Sequence, residues 1–462
     1  MRAMTDYDDR VLDSPQASSV LAALYGPGEL ASARYRYKSL LQGLCTLASL
    51  EEHPKQAGEK AGIRCFTAPG RTELGGNHTD HNRGKILAAA IHLDAVAFVL
   101  PRADKRVLFR STGYPDVQID LSDLSPRPGE QGSTEALLRG VAGELAAQGL
   151  AVGGFTACAD STVFAGSGLS SSAAMEVLFA TIFDHLYGEG TRSALDLAKI
   201  GQKAENTYFG KPSGLMDQTA CAYGGAVLID FEDEQEPKVT PIHLDMESFG
   251  VRLCVLHTQG THADLTSAYA AIPQEMKAVA RFFGKSVLRE LDEETLLAHT
   301  NAIRKRVGDR GFLRALHFFH ENQRVDAMQK ALESAAALFG TARSAALREY
   351  LRLVNESGDS SWKLVQNLYN PENPQDQELP LALTLTRAFF ETPGKPKPPL
   401  WACRVHGGGF AGTIQAYIPL EDLDSYKTLM ESVFGPGALS PLNIRYRGAA
   451  ELVFDGLYRS NF

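Results

Sequence analysis

The sequence predicts a chain of mixed helices and sheet in two or three domains, and three observations lead there. The length, 462 residues, exceeds the roughly 100 to 200 that one domain occupies. Short apolar runs between Ile63 and about Ile119 (IRCFTA, ILAAAI, AVAFVL, RVLFRST) read as strands. Elsewhere apolar residues recur at helical spacing.

Taken in order, residues 17 to 50 read as helices broken at Gly26, Pro27 and Gly28, with Leu40, Leu41 and Leu44 near helical spacing. After the strands, the Pro/Gly-rich SPRPGEQG precedes a helix. Further helices are predicted over Ser172 to Tyr187, Ser193 to Phe209 and Ala263 to Phe283. Between the second and third, GGAVLIDFED reads as a strand entering the acidic run EDEQEP, which puts a domain boundary near residue 236. The expected division is an N-terminal helical extension (1–60) packed on a first domain (61–235), followed by a second domain (236–462). In the second half the last helix runs through Leu347 to Val354. NPENPQDQELP and TPGKPKPP read as surface loops, and WACRV, GGGFAG and TIQAYI as strand, glycine turn, strand.

Composition narrows the function classes. Forty-four per cent of residues are hydrophobic and 22% charged, as in an ordinary globular protein. The balance of 46 basic against 55 acidic residues gives a net charge of -9, which disfavours general nucleic-acid or anionic-membrane binding because no phosphate-neutralising excess exists. The N-terminus MRAMTDYDDR lacks the basic and apolar stretches of a secretion signal, so a cytoplasmic location is expected. Ile86 to Leu100 is the longest apolar stretch, but it is interrupted by His92 and Asp94 and falls short of the roughly 20 residues that span a bilayer. Cys45, Cys65, Cys158, Cys221, Cys254 and Cys403 are widely spread without a CxxC pair, which reads as reduced core thiols.

Three segments carry chemistry-bearing patterns. In VFAGSGLSSSAAMEVLFATIF (163–183), Gly166 and Gly168 allow close backbone approach, and Ser170, Ser171 and Ser172 cluster where a helix should begin. A helix N-terminus offers free N–H groups and the positive end of the macrodipole, so the segment reads either as a phosphate cradle or as a serine-capped helix after a turn. Two better-known phosphate motifs fail. GKS at 284–286 lacks the first Walker glycine, Val279 standing there. Gly407, Gly409 and Gly412 satisfy GxGxxG, but the strand-like TIQAYI follows where a dinucleotide fold needs a helix.

In APGRTELGGNHTDHNRG (68–84), Arg71, Asn77, His78, Asp80, His81 and Asn82 crowd among glycines. Alternating donors and acceptors on a loop suit the hydroxyls of a sugar; a metal pair in HTDH lacks a third ligand nearby. In KAENTYFGKPSGLMDQTACAYGG (203–225), Glu205 lies on a helix ending near Gly210, and a turn at Pro212 to Gly214 presents Asp217. Two such carboxylates can divide labour between holding a metal and handling a hydroxyl, or stand as solvated charges. HFFH at 317–320 reads as part of an amphipathic helix.

Together and in this order the segments resemble the GHMP small-molecule kinases, and within them the galactokinases. APGRTELGGNHTDHNRG is similar to the galactokinase signature, GSGLSSSAA to the phosphate-binding motif, FGKPSGLMDQ to the segment bearing the active-site aspartate, and CRVHGGGFAGTIQAY to the C-terminal glycine motif. The resemblance implies a two-domain α+β fold with the site in the cleft between domains, and ATP-dependent phosphorylation of the anomeric C1 hydroxyl of galactose. It implies that Gly166, Gly168, Ser170, Ser171 and Ser172 hold the ATP phosphates, with Gly408 and Gly409 closing the back of the site. Ser171 or a neighbouring serine, with Glu205, would hold Mg²⁺. Asp217 would sit beside the C1 hydroxyl as base, Arg71 stabilising its ionised form or the transferring phosphoryl group. Asn77, His78, Asp80, Gly214 and Tyr269 fall at sugar-binding positions.

The chain departs from the family in places. Asn77 stands where most galactokinases have Glu, His81 where they usually have Tyr, and Ser213 where they have Cys. The residues after Tyr269, AAIPQEM, differ from the usual arginine-rich continuation, and the helical extension is longer. An amide at 77 alters which C6 substituents are tolerated, so a related sugar such as galacturonate is the alternative substrate. A catalytically silent sugar and ATP sensor is the third reading, opposed by the presence of Arg71, Glu205 and Asp217. The expected partners are a small sugar and ATP, with no nucleic acid or membrane, and a monomer is favoured.

Overall fold

The computed structural model describes residues 9–50, 62–163, 168–260, 265–391 and 400–457. Gly166 and the TPGKPKPP stretch lie outside them. The helical extension breaks where the sequence predicts. α1 (Pro15–Tyr25) starts at Ser14, whose hydroxyl accepts the Ala17 amide at 3.1 Å, and ends at Gly26, whose φ of +88° suits glycine. α2 (Leu30–Leu50) follows.

The first half continues through β1 (Arg64–Gly75), β2 (Lys85–Pro101), β3 (Arg106–Ser111), β4 (Val117–Asp120), α3 (Thr134–Ala147), β5 (Phe155–Ser161), α4 (Ser171–Tyr187) and α5 (Ala194–Ala204). A wider π turn, Glu205–Phe209, extends α5 to Gly210, and α6 (Met216–Tyr223), β6 (Ala226–Asp230) and β7 (Lys238–Ile242) complete it. The runs ILAAAI and AVAFVL form one long strand, β2. The charge between them is tolerated because Asp94, fully buried, meets Arg36 of α2 at 2.7 Å, Arg445 at 2.5 Å and the Thr67 and Tyr25 hydroxyls, each at 2.7 Å. These bonds tie the extension and the end of the chain to the sheet.

The second half comprises β8 (Val251–His257), α7 (Thr266–Phe282), α8 (Glu293–Ala298), α9 (Thr300–Arg306), α10 (Asp309–Ala337), α11 (Gly340–Ser360), α12 (Glu378–Glu391), β9 (Ala402–Val405), β10 (Thr413–Pro419), α13 (Leu423–Phe434), β11 (Leu439–Leu442) and β12 (Ala450–Leu452). The sequence reading ended the helices at Val354 and missed α12 and α13. In α12 the alternation of LALTLT obscures the helical period, yet Leu379, Ala382, Leu383 and Phe390 share one helical face and pack on the second sheet.

Among the described residues, one sheet runs β12-β1-β2-β5-β3-β4, with β6 on the rest of β2's edge and β7 beyond it. β2 is long enough to pair β6 through residues 85–89 and β5 through residues 95–101. The other sheet runs β11-β8-β10-β9. The end of the chain thus returns to the first sheet, β12 pairing β1. Alternation along β2 divides the core: Ala95, Ala97 and Val99 face α3, α4 and α5 through Leu138, Phe179 and Ile200, while Val96, Phe98 and Leu100 face α1 and α2. α10 and α11 bring Val325, Met328, Leu347 and Leu351 against Leu74, Ile86 and Leu87. The β1–β2 turn therefore meets the helices of the second half. No helix of the described residues is long and apolar enough to cross a membrane.

Candidate active site

Arg71 lies on β1 beside an irregularity in its pairing with β2, and its backbone N–H donates to Leu169 O at 3.1 Å, which fastens the strand to the loop before α4. Its Nε donates to Asp217 Oδ1 at 2.7 Å, and its Nη1 donates to Gly168 O. Gly168 (φ +72°) and Ser170 (φ +61°) both adopt left-handed backbone just before α4. Ser170 is the N-cap residue, but its hydroxyl donates to Asp217 Oδ2 and makes no cap bond. The first-turn amides of α4 consequently keep their capacity for an anion.

Asp217 enters from the first turn of α6 and unites the two segments. Its side chain is 23% exposed against 6% for Arg71, so the carboxylate is reachable and the guanidinium braces it from inside. Burial pushes this carboxyl up, but Arg71, the Ser170 hydroxyl and Lys211 outweigh it and hold Asp217 below its ordinary value. It is ionised at neutral pH, the form able to take up a proton from a hydroxyl.

Glu205, 1% exposed, is ringed by donors. Its Oε1 accepts from Ser172 Oγ at 2.8 Å and Lys211 Nζ at 2.9 Å; its Oε2 accepts from Ser213 Oγ and, at 3.0 Å, from Gln218 Nε2. The serine facing Glu205 is Ser172, one position after Ser171. A buried carboxylate with a hydroxyl beside it, next to the uncapped start of α4, fits Mg²⁺, a hard cation that keeps several waters and takes few protein ligands. Lys211 is 56% exposed and free to swing away from such an ion. Among the described residues no group of three or more His, Cys, Asp or Glu is arranged to hold a metal ion.

The sugar-signature turn is built tightly. Gly76 has φ +95°, and a Cβ there would overlap the backbone of Lys85 and Ile86. Thr79 Oγ1 bonds Gly76 O at 2.9 Å and Lys85 O at 2.8 Å, closing the turn. His78 takes a left-handed backbone (φ +60°) and its Nε2 lies 3.0 Å from Gly408 O. Burial pushes His78 down to about 3, so its ring is neutral. Asp80 faces Gly214, where a Cβ would overlap its carboxylate. Tyr269 donates to Gly409 O at 2.9 Å, and a Cβ at Gly408 would overlap its ring. His406, buried and held well below its ordinary value by that burial, lies between Thr72 Oγ1 at 3.0 Å and Thr413 Oγ1 at 3.1 Å, backing Gly168.

The structure therefore brings Arg71, Gly168, Ser170 and Asp217 into one contact set, with Ser172 and Glu205 beside it through Gln218, which adjoins Asp217 in sequence. His78, Asp80, Gly214, Gly408, Gly409 and Tyr269 form a second set along the signature turn. Asn77 is 1% exposed and bonded to protein on every side. HFFH lies in α10 as expected, but His317 is fully buried and bonds the signature turn. Sequence reasoning also missed Lys211, Gln218, Glu73, Arg404 and Asn367. Of these only Asn367 stands outside the quoted segments; Lys211, Gln218, Glu73 and Arg404 lie within them but went unremarked, because their partners come from elements that only the fold brings near.

Comparison with known proteins identifies the family. Residues 136–225 match the GHMP kinases N terminal domain, and residues 51–101 match the galactokinase galactose-binding signature. A galactokinase from Streptomyces coelicolor is 34% identical over 58% of this chain and 69% of its own. The galactokinase from Bos taurus is 31% identical over 83% of this chain and 88% of its own. Among solved structures, Lactococcus lactis galactokinase complexed with galactose superimposes with a TM-score of 0.69 at 25% identity, covering 84% of this chain and 95% of that one. Methanococcus jannaschii mevalonate kinase, 14% identical with a TM-score of 0.55, shares the fold over 82% of this chain and 98% of its own. With both family matches and relatives of this similarity and coverage, the chain belongs to the galactokinase family of the GHMP kinases and is a sugar kinase.

Proposed function

We propose that this chain transfers the γ-phosphoryl group of ATP to the anomeric C1 hydroxyl of galactose, giving galactose 1-phosphate and ADP. The observation that carries the reading is Asp217, an ionised, reachable carboxylate braced by Arg71 and Ser170 beside the uncapped start of α4. The amides around Gly168, Ser170, Ser171 and Ser172 receive the phosphates, and Gly166, outside the described residues, is assigned with them from the sequence motif. Asp217 orients the C1 hydroxyl and takes up its proton as the bond to phosphorus forms; Arg71 keeps the carboxylate charged and spreads charge on the transferring group. Ser172 and Glu205 are the residues that would hold Mg²⁺, which when bound neutralises charge on the phosphates. His78, Asp80, Gly214 and Tyr269 border the sugar, and Gly408 and Gly409 close the back.

The site lies between residues 61–235 and 236–462, which we read as the two domains, with residues 1–60 an extension on the first. The free cysteines among the described residues support a reducing, cytoplasmic setting.

Two measurements test this. ADP release from Mg·ATP is expected to be fastest with galactose when compared with galacturonate, N-acetylgalactosamine, glucose and arabinose at millimolar concentration. Turnover of galacturonate alone would reassign the substrate, and silence on all would favour a sugar and ATP sensor. Gly214→Ala, which drives a methyl group into the Asp80 carboxylate, is expected to raise the sugar KM about tenfold or more, with the ATP KM nearly unchanged.

A further inference from the structure

The signature turn holds a costly conformation. A non-glycine residue at φ +60°, His78, persists only where its surroundings over-determine it. Those surroundings come from α10. His317 and Glu321 stand one turn apart on one face of that helix, both with no exposed surface. His317 Nε2 lies 2.9 Å from the backbone oxygen of Asn77, and its Nδ1 lies 2.7 Å from Ser360 Oγ. Since a carbonyl can only accept, Nε2 carries the proton and Nδ1 accepts from the serine. Burial keeps this imidazole neutral by pushing it below its ordinary value, against the pull of Glu321. Glu321 Oε1 accepts the Gly76 N–H at 3.0 Å and Ser357 Oγ at 2.6 Å, while Arg324 pairs with Oε2. Two peptide groups of the turn before His78, Gly75–Gly76 and Asn77–His78, are thus both gripped from the second half of the chain.

Asn77 completes the grip, and its side chain leaves nothing over. Nδ2 donates to Gly407 O at 2.8 Å and to Glu73 Oε1 at 3.3 Å. Oδ1 accepts from Ser361 Oγ at 3.2 Å and Asn367 Nδ2 at 3.3 Å. An amide has two N–H donors and two lone pairs, and all four are spent on protein. Glu73 is in turn paired with Arg404.

We infer that His317 and Glu321 are positioning residues that set the signature turn for the sugar, and that Asn77 belongs to this scaffold and makes no hydrogen bond to the sugar's C6 end. The inference rests on the proposed function, since it takes the signature turn as the sugar site. It assigns specificity at C6 to groups other than residue 77.

Steady-state kinetics with galactose and 6-deoxygalactose separate the outcomes. His317→Leu is expected to raise the KM of both sugars by about the same factor, tenfold or more, with the ATP KM within about twofold. His317→Gln, which keeps a donor where Nε2 stands, is expected to restore the sugar KM to within about threefold of the parent. Asn77→Ala is expected to weaken both sugars equally, leaving the preference between them unchanged. Thermal unfolding of each variant separates lost fold from lost sugar affinity, and Asn77→Ala removes no buried charge. A preference between galactose and 6-deoxygalactose altered by Asn77→Ala would overturn the inference, because residue 77 would then be touching the C6 hydroxyl. So would a rise in ATP KM that tracks the sugar KM in His317→Leu, or a Gln variant no better than Leu. Turnover of neither sugar by the parent enzyme sinks the proposed function itself, and this inference with it.

Discussion

Asp217→Ala is expected to lower kcat by about a thousandfold or more, the upper part of the range for a positioned acid-base group, while ATP binding measured by calorimetry stays within about threefold of the parent. The proposed phosphate cradle is backbone around Gly168 and the start of α4, and none of it is removed. What disappears is the proposed acceptor for the C1 hydroxyl and the counter-ion of Arg71. Asp217→Asn is the sharper variant because it keeps the shape and the capacity to accept a hydrogen bond but loses the charge. Its kcat should fall nearly as far. Turnover surviving in either variant would mean that another group handles the hydroxyl.

Arg71→Met is expected to lower kcat/KM by about a hundredfold to a thousandfold, as loss of a charged stabiliser in a preorganised site does. It should also move the pH dependence. In the parent, burial pushes Asp217 up and Arg71 is the largest opposing influence, with the balance below the ordinary value. Without the guanidinium the carboxyl rises, so the acid limb of the kcat profile moves to higher pH. The sign for stability follows from the same shift. A carboxylate depressed in the folded state contributes stability that is fully present above its unfolded pKa, about 4, and is lost as pH falls through the lower folded value. Arg71→Met removes that contribution, so urea unfolding at neutral pH should show a less stable chain, with the gap to the parent narrowing in acid. An acid limb that stays in place would separate Arg71 from the ionisation of Asp217.

Much of the candidate site was legible because its segments are local. The signature turn, the serine cluster before α4 and the turn carrying Asp217 are each contiguous, and each needs glycine where the backbone bends. The helix break at Gly26 to Gly28 and the glycine turn between β9 and β10 were readable for the same reason. The scaffold behind the site was not. His317, Glu321, Asn367 and Arg404 lie hundreds of residues from the turn they hold, and in sequence His317 reads as one polar residue in a helix. β2 read as more than one strand because Asp94 looks like an interruption until Arg36 and Arg445 arrive from opposite ends of the chain. Asn77 read as a sugar contact because of its place in the signature; its four protein partners come from β1, the glycine turn and the stretch that follows α11.

The central claim is that Asp217 faces an anomeric hydroxyl with a γ-phosphoryl group aligned against it. Phosphorus and proton NMR of the product formed from galactose and Mg·ATP tests this most directly. The expected spectrum has the phosphate coupled to the anomeric proton, with ADP in equal amount. A phosphate coupled to the C6 protons, or ADP formed without any sugar phosphate, would contradict it.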